Sequence, residues 1–167
     1  MEVKDAIKES SIFKGLRDDE LDEIFKITHE KRFLKGDTIM KEGDQGDTMY
    51  IVIEGEVGVS KSLTMKFGDD DYRKTEKVLT RFKPEDHVVF GEMALIAQVS
   101  RSATINAGSD CVSLEINRGD FVQLIEARPN LGVKILLNIS QLLVNRLRQS
   151  SQDVIRLTTA LSIALSR

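Results

Sequence analysis

The sequence predicts an α+β fold in which an antiparallel sandwich or barrel of short strands is flanked by N-terminal helices and a long C-terminal helix. Between residues 28 and 116, short apolar/polar alternations are separated by glycine turns, the pattern of many short antiparallel strands. On either side, apolar residues recur at spacings of three and four, which is typical of amphipathic helices. We therefore expect two parts, a strand domain with its N-terminal helices over residues 1–129 and a C-terminal helix over residues 130–167.

Composition excludes several classes of function. The 167 residues carry a net charge of −3, whereas a nucleic-acid surface is usually basic. The single cysteine, Cys111, can form no internal disulfide, and two distant histidines do not make a metal site, so no metal is expected. No nucleophile with an evident base is present, so we predict a protein that is not an enzyme. The N-terminus lacks the apolar core of a signal peptide and no apolar run reaches membrane length, so we expect a cytoplasmic protein without a membrane partner.

The individual elements follow in chain order. Residues 2–28 carry two helical sets of apolar residues. A charged hairpin tip is predicted at residues 66–74, and a helix that starts near Asn117 must end before Pro129. Short alternating or apolar runs predict seven strands: Lys31–Leu34, Thr38–Lys41, Asp47–Glu54, Glu56–Ser60, Val78–Phe82, Ser102–Ala107 and Cys111–Ile116.

The stretch from residue 131 to residue 165 predicts one helix about 50 Å long at about 1.5 Å per residue. Its apolar residues step by four and three in a coiled-coil seam, with one polar layer at Ser150. The seam residues are Leu136, Leu143, Leu147, Val154, Leu157 and Leu161. A parallel homodimer is the natural partner for such a seam, and a helix folded back on its own domain is the alternative.

Residues 90–105 hold the charges that predict a binding site. A short helix that starts near Glu92 would leave the amides of residues 91–94 without intrahelical partners, and such amides favour an anion. Arg101 offers a planar fork of donors to the same anion. The Glu92 carboxylate is an acceptor, suited to a hydroxyl beside a phosphate. This combination describes a site for a ribose phosphate, whereas a surface ion pair on a turn that binds nothing is the alternative.

The same stretch resembles the phosphate-binding cassette of cyclic-nucleotide-binding domains. Its two halves, Phe90-Gly91-Glu92-Met93-Ala94-Leu95 and Arg101-Ser102-Ala103-Thr104, are similar to the two halves of that cassette and occur at the family spacing. The resemblance implies an antiparallel β-roll, or jelly roll, that binds cAMP, with cGMP as the other candidate. The implied ligand residues are Gly91, Glu92, Met93, Ala94, Arg101, Ser102 and Ala103. The family usually has glycine where Glu85 stands, so the loop before the cassette departs from its pattern.

The C-terminal helix resembles the central helix of the transcription-factor members of that family. In those proteins a Thr-Ser pair contacts the adenine, one residue from each subunit, and the pair falls on Ser150 and Ser151 here. The DNA-reading domain that follows this helix in those relatives is not part of this sequence, so no DNA partner is expected.

Two hypotheses follow from the sequence. The first is a homodimeric cyclic-nucleotide sensor that regulates an unidentified downstream protein through its C-terminal helix. The second is a dimeric interaction scaffold of the same fold that acts without a ligand and carries a vestigial pocket.

Overall fold

The computed structural model describes residues 3–66 and 72–166. Within these residues the chain forms five α-helices, one 3₁₀ helix (Pro84–Asp86) and eight strands, in an order that agrees with the predicted sequence of elements. They are α1 (Val3–Glu9), α2 (Asp18–Lys26), β1 (His29–Phe33), β2 (Thr38–Met40), β3 (Thr48–Glu54), β4 (Val57–Lys66), β5 (Tyr72–Phe82), β6 (Val89–Phe90), α3 (Met93–Ile96), β7 (Thr104–Ala107), β8 (Cys111–Asn117), α4 (Arg118–Ala127) and α5 (Pro129–Leu165).

The strands form two four-stranded antiparallel sheets that face each other. The strand order is β1-β8-β3-β6 in one sheet and β2-β7-β4-β5 in the other. Consecutive strands alternate between the sheets at several points, for example from β2 to β3 and from β7 to β8, as in a rolled sandwich. The predicted fold class, an antiparallel roll flanked by helices, is confirmed.

Strand β3 separates two apolar cores, because successive side chains of a strand point to opposite faces. Met49, Ile51 and Ile53 face the helices, whereas Tyr50 and Val52 face the opposite sheet. The first core is closed by apolar residues of the helices, including Ile24 on α2, Phe121 on α4, and Ile135 and Ile139 on α5. Strand β3 is thus buried on both faces, and its first residue, Thr48, lies beside the candidate site.

Helix α2 is tied to α5 through a buried carboxylate. Glu20 accepts a hydrogen bond from the Arg17 backbone N–H at 2.9 Å, and the Lys134 ammonium donates to its two oxygens at 2.7 and 2.9 Å. These contacts satisfy a helix-start amide and fix the position of the first half of α5.

Helix α5 has two distinct halves. Its first half packs into the helical core through Leu131, Ile135 and Ile139, with Leu142 and Leu143 partly buried beside them. From Val144 to Ser166 every residue is exposed, and the helix extends away from the roll. Helix α4 ends at Ala127 and α5 begins at Pro129, which confirms the predicted interruption before this proline.

The β4–β5 hairpin is longer than the sequence predicts. The alternation predicted only Glu56–Ser60 and Val78–Phe82, whereas the ladder continues to the pair formed by Lys66 and Tyr72. Residues 61–63 and 75–80 are exposed, so no buried face produced an apolar alternation there. Residues 67–71 of the predicted charged tip lie outside the described part of the chain.

Candidate functional site

A cavity of about 280 Å³ opens where β6, α3 and β7 meet the inner face of the β4–β5 hairpin. One wall is apolar and comes from Met40, Val59, Phe82 and Ile105. The lining also includes the charged residues Glu92, Arg101 and Arg146, together with the segment from residue 88 to residue 94. A pocket with one apolar side and a few convergent charged groups is typical of a small-molecule site.

Gly91 makes the sharp turn that leads from β6 into α3. Its φ of 80° lies in the left-handed region, and a Cβ at this position would lie 2.6 Å from the Thr48 carbonyl oxygen and 2.7 Å from Arg101 Nη1. Glycine is therefore required for both conformation and space. The short helix α3 then begins at Met93, so the predicted helix start near Glu92 is confirmed. The Ala94 N–H donates to the Gly91 carbonyl oxygen at 3.0 Å and is used within the turn.

Arg101 is held by the first residue of β3 and by the loop that precedes this strand. Its Nη1 and Nη2 donate to the carbonyl oxygen and to Oγ1 of Thr48, at 2.7 and 2.9 Å. Its backbone N–H donates to the Asp44 carbonyl oxygen, and its own carbonyl oxygen accepts from the Gly43 N–H. The guanidinium lies so close to Gly46 that a Cβ there would overlap it. Only 9% of Arg101 is exposed, so the cation is held in place beside the cavity.

Glu92 is paired with an arginine from α5. Its carboxylate is 1% exposed, and Oε1 lies 2.5 Å from Arg146 Nη1. Arg146 Nη2 also donates to the Val89 carbonyl oxygen at 3.0 Å. A buried carboxylate without a partner would be costly, and this cation offsets that cost. The contact joins α5 directly to the wall of the cavity.

The pairing with Arg146 was missed by the sequence reasoning, although the sequence holds a signal for it. Ile135, Ile139 and Leu142 face the core at steps of four and three. Arg146 stands one further step of four along the same face of the helix. A cation that continues a buried stripe is a candidate partner for an anion on the surface beneath it, and here that anion is Glu92.

The comparisons with known proteins agree with this geometry. The sequence model of the family described as "Cyclic nucleotide-binding domain" matches residues 30–128, more than half of the chain. The chain belongs to the cyclic nucleotide-binding domain family. The domain that defines this family is a ligand-binding domain and not a catalytic one.

Individual members of the cyclic nucleotide-binding domain family show the extent of the similarity. The cGMP-dependent protein kinase 2 of Mus musculus is 32% identical over 125 residues, which cover 74% of this chain and 15% of the kinase. The crystal structure of Thermus thermophilus catabolite activator protein is 28% identical with a TM-score of 0.73, covering 89% of this chain and 63% of that one. The regulatory domain of Toxoplasma gondii PKA, solved with cAMP, is 27% identical with a TM-score of 0.57, covering 73% of this chain and 42% of that one.

The residues predicted from the family cassette meet at the cavity. Its walls include seven of the nine predicted residues: Gly91, Glu92, Met93, Ala94, Arg101, Ser102 and Ala103. Ser150 and Ser151 are exposed on the second half of α5, and the cavity of this single chain is not lined by them. Ser151 Oγ donates to the Leu147 carbonyl oxygen at 2.9 Å. Their predicted contact with the base stays a prediction.

Two further kinds of site find no support among the described residues. No group of three or more His, Cys, Asp or Glu side chains in residues 3–66 and 72–166 is arranged to hold a metal ion. None of the helices in that part of the chain combines the length and the hydropathy that a bilayer span requires.

Proposed function

We propose that this chain is a sensor that binds a cyclic purine nucleotide, cAMP in the first place and cGMP as the second candidate, and that signals through α5. The observation that supports the proposal is the position of Glu92 and Arg101. Both side chains lie on the wall of one cavity, both are almost fully buried, and they carry opposite charges. A cyclic nucleotide presents a phosphate anion and a ribose hydroxyl side by side, which matches this pair.

The phosphate is assigned to the end of the cavity formed by Arg101. Its guanidinium has five N–H donors, of which the bonds to Thr48 use one on each terminal nitrogen. Remaining donors are available to an anion in the cavity, where the bond is charge-assisted. Ser102 and the backbone at Gly91, Met93, Ala94 and Ala103 line the same end. We assign the hydroxyl of Ser102 as a further donor to the phosphate.

The ribose is assigned to Glu92. The 2′-hydroxyl donates to the carboxylate, which retains acceptor capacity beside its contact with Arg146 because an ionised carboxylate has about four lone-pair sites. The ion pair with Arg146 also turns the carboxylate toward α5. A ribose bound there therefore lies between the roll and the C-terminal helix.

The base is assigned to the C-terminal helix through Ser150 and Ser151. Ser150 follows Arg146 by four residues and so lies one turn further along the same face. Ser151 is turned by about 100° around the helix axis from Ser150, away from its own roll. In a parallel homodimer of α5, Ser150 would approach the base bound in its own subunit and Ser151 the base bound in the partner subunit.

The output is assigned to the exposed half of α5. A bound nucleotide contacts both the roll and this helix, so it favours the helix placement in which both contacts are made. The size of the effect equals the difference in affinity for the two placements. A downstream protein that recognises the helix dimer would then respond to the nucleotide concentration.

Isothermal titration calorimetry with cAMP and with cGMP tests the proposal. The Arg101→Ala substitution removes the charge-assisted bond to the phosphate and is expected to raise Kd at least tenfold. Arg32→Ala is the matched control, because this arginine is exposed on β1, pairs with the neighbouring Glu30 and does not line the cavity. Equal affinity of the wild-type protein and the Arg101→Ala variant would refute the assignment.

The alternative function, a dimeric scaffold with a vestigial pocket, also has an observation in its favour. Glu92 and Arg101 are both satisfied by protein groups without a ligand. The loop before the cassette departs from the family at Glu85, and His87 in that loop adopts a left-handed φ of 48°. Thermal denaturation with a panel of cyclic nucleotides separates the two functions, because a ligand that binds only the native state raises Tm. An unchanged Tm with millimolar cAMP and cGMP favours the scaffold.

A further inference from the structure

A chain of hydrogen bonds leads from Arg101 into the interior of the roll. Arg101 Nη2 donates to Thr48 Oγ1 at 2.9 Å, and the Thr48 hydroxyl in turn donates to the Tyr50 hydroxyl at 3.3 Å. The Tyr50 hydroxyl donates to Glu115 Oε2 at 2.9 Å. The three hydrogen bonds therefore all point in the same direction, from Arg101 towards Glu115. The chain begins at a cation and ends at a carboxylate.

The middle of this chain is fixed by packing. Tyr50 is buried, its ring stacks on Phe90 with centroids 5.5 Å apart, and Phe33 packs edge-on at 6.2 Å. Burial raises the pKa of the Tyr50 phenol, so the hydroxyl stays neutral and available as a donor. The strand register places Tyr50 directly opposite Glu115, on β3 and β8. The ring therefore holds its hydroxyl at one point between the two sheets.

The far end of the chain is held by a second cation. Lys31 Nζ on β1 lies 3.6 Å from Glu115 Oε1, and Glu115 is mostly buried. Glu115 thus accepts from Tyr50 with one oxygen and faces Lys31 with the other. Hydrogen bonds that run in one direction in a medium of low dielectric polarise and strengthen one another. The three strands β1, β8 and β3 together fix the orientation of the last acceptor.

We propose that Thr48, Tyr50 and Glu115 are positioning residues that hold the Arg101 guanidinium in the orientation required to bind an anionic phosphate. The inference rests on the proposed nucleotide-binding function and adds the residues that set the geometry of its phosphate end. Arginine has several rotatable bonds, and ordering such a side chain during binding costs affinity. The chain from Glu115 to Thr48 orders Arg101 before the ligand arrives. None of the three side chains needs to contact the nucleotide.

Calorimetric Kd values for cAMP test this assignment. Thr48→Val removes the hydroxyl at nearly constant shape but keeps the bond from Nη1 to the Thr48 carbonyl oxygen. We expect Kd to rise about three- to tenfold, the cost of ordering one flexible side chain. Thr48→Ser keeps the hydroxyl, and this variant is expected to bind cAMP as the wild type does. Tyr50→Phe and Glu115→Gln, which alter the chain further from the cavity, are expected to weaken binding about two- to fivefold.

Two controls distinguish positioning from a general effect on folding. Thr38→Val removes a threonine hydroxyl that donates to Asn106 Oδ1 outside the cavity wall, and it should leave Kd unchanged. In the Arg101→Ala background, Thr48→Val and Tyr50→Phe should cause no further change in Kd, because the group that they position is gone. A merely structural role would lower Tm in every background and would leave Kd of the folded protein unchanged.

The possible outcomes separate this inference from the proposed function. If Arg101→Ala weakens binding while Thr48→Val and Tyr50→Phe bind as the wild type does, the positioning role is wrong and the nucleotide site stands. If the wild-type protein binds neither nucleotide, both are wrong. If Thr48→Val does not fold, Tyr50→Phe and Glu115→Gln decide the question by the same measurement.

Discussion

Replacement of Arg146 by methionine tests whether the contact between α5 and Glu92 stabilises the folded domain. Methionine keeps an unbranched apolar stem on the helix and removes the guanidinium. Glu92, which is 1% exposed, then loses its ion pair, and the Val89 carbonyl oxygen loses a donor. The Arg146→Met variant should therefore be less stable than the wild-type protein.

The size of the effect follows from the burial of the two partners. Removing one partner of a fully buried pair costs about 3–5 kcal/mol. Arg146 is 45% exposed, so water reaches part of the pair, and we expect about 2–3 kcal/mol, the upper part of the range for hydrogen bonds to charged groups. At about 2–4 °C per kcal/mol for a chain of this length, Tm should fall by roughly 5–10 °C.

Thermal denaturation followed by circular dichroism measures the change. Arg148→Met is the matched control, an exposed arginine two residues further along α5 that should shift the free energy of unfolding by less than about 0.5 kcal/mol. Addition of Glu92→Gln to Arg146→Met should recover part of the loss, because it removes the unpaired charge. The reasoning is refuted if Arg146→Met and Arg148→Met melt together.

Three further predictions concern other parts of the molecule. Gly46→Ala places a Cβ against the Arg101 guanidinium, so the Kd for cAMP should rise at least tenfold with little change in Tm, whereas Gly58→Ala, with open space around it, should leave both unchanged. The Arg17 backbone N–H and the Lys134 ammonium hold the pKa of the Glu20 carboxyl below its usual range, so its stabilisation is present above the unfolded-state pKa of about 4.3 and is lost as pH falls through the folded-state value. Glu20→Gln should therefore lower the free energy of unfolding by about 1–2 kcal/mol at pH 7, and urea titrations should show the difference from the wild type disappearing in acid. Leu157→Asp on the predicted seam should convert a dimer to a monomer in sedimentation experiments, whereas Ile163→Asp, which is also exposed but lies off the seam, should not.

The cassette was predictable from sequence because its residues are close together in the chain. Gly91, Glu92 and Arg101 lie within eleven positions, and their spacing alone brings a turn, a carboxylate and a guanidinium to one place. The acceptors of Arg101 were not predictable in this way. Thr48 lies at the start of the predicted strand Asp47–Glu54, and its role depends on its approach to Arg101, 53 positions further along the chain.

The contact between Arg146 and Glu92 was missed because it is a long-range pairing. Arg146 meets Glu92 across 54 positions, and the contact exists only because the first half of α5 packs on the helical core. The outer part of the β4–β5 hairpin was missed for another reason, since strands exposed on both faces leave no apolar period in the sequence. The predicted pairing of α5 with a second copy stays a prediction, as do the base contacts of Ser150 and Ser151.

In the proposed mechanism, the second half of α5 would act as a lever on the first. The helix is anchored in the core near Ile139 and fastened to the cavity wall at Arg146, and neither proline nor glycine interrupts it from there to Leu165. The free arm beyond Arg146 is about 28 Å long at about 1.5 Å per residue. A tilt of about 5° at the fastening point would thus displace the tip by roughly 2.5 Å, comparable to the shifts of packed helices in switching proteins. A small rearrangement at one carboxylate would in this way be amplified mechanically at the far end of the helix.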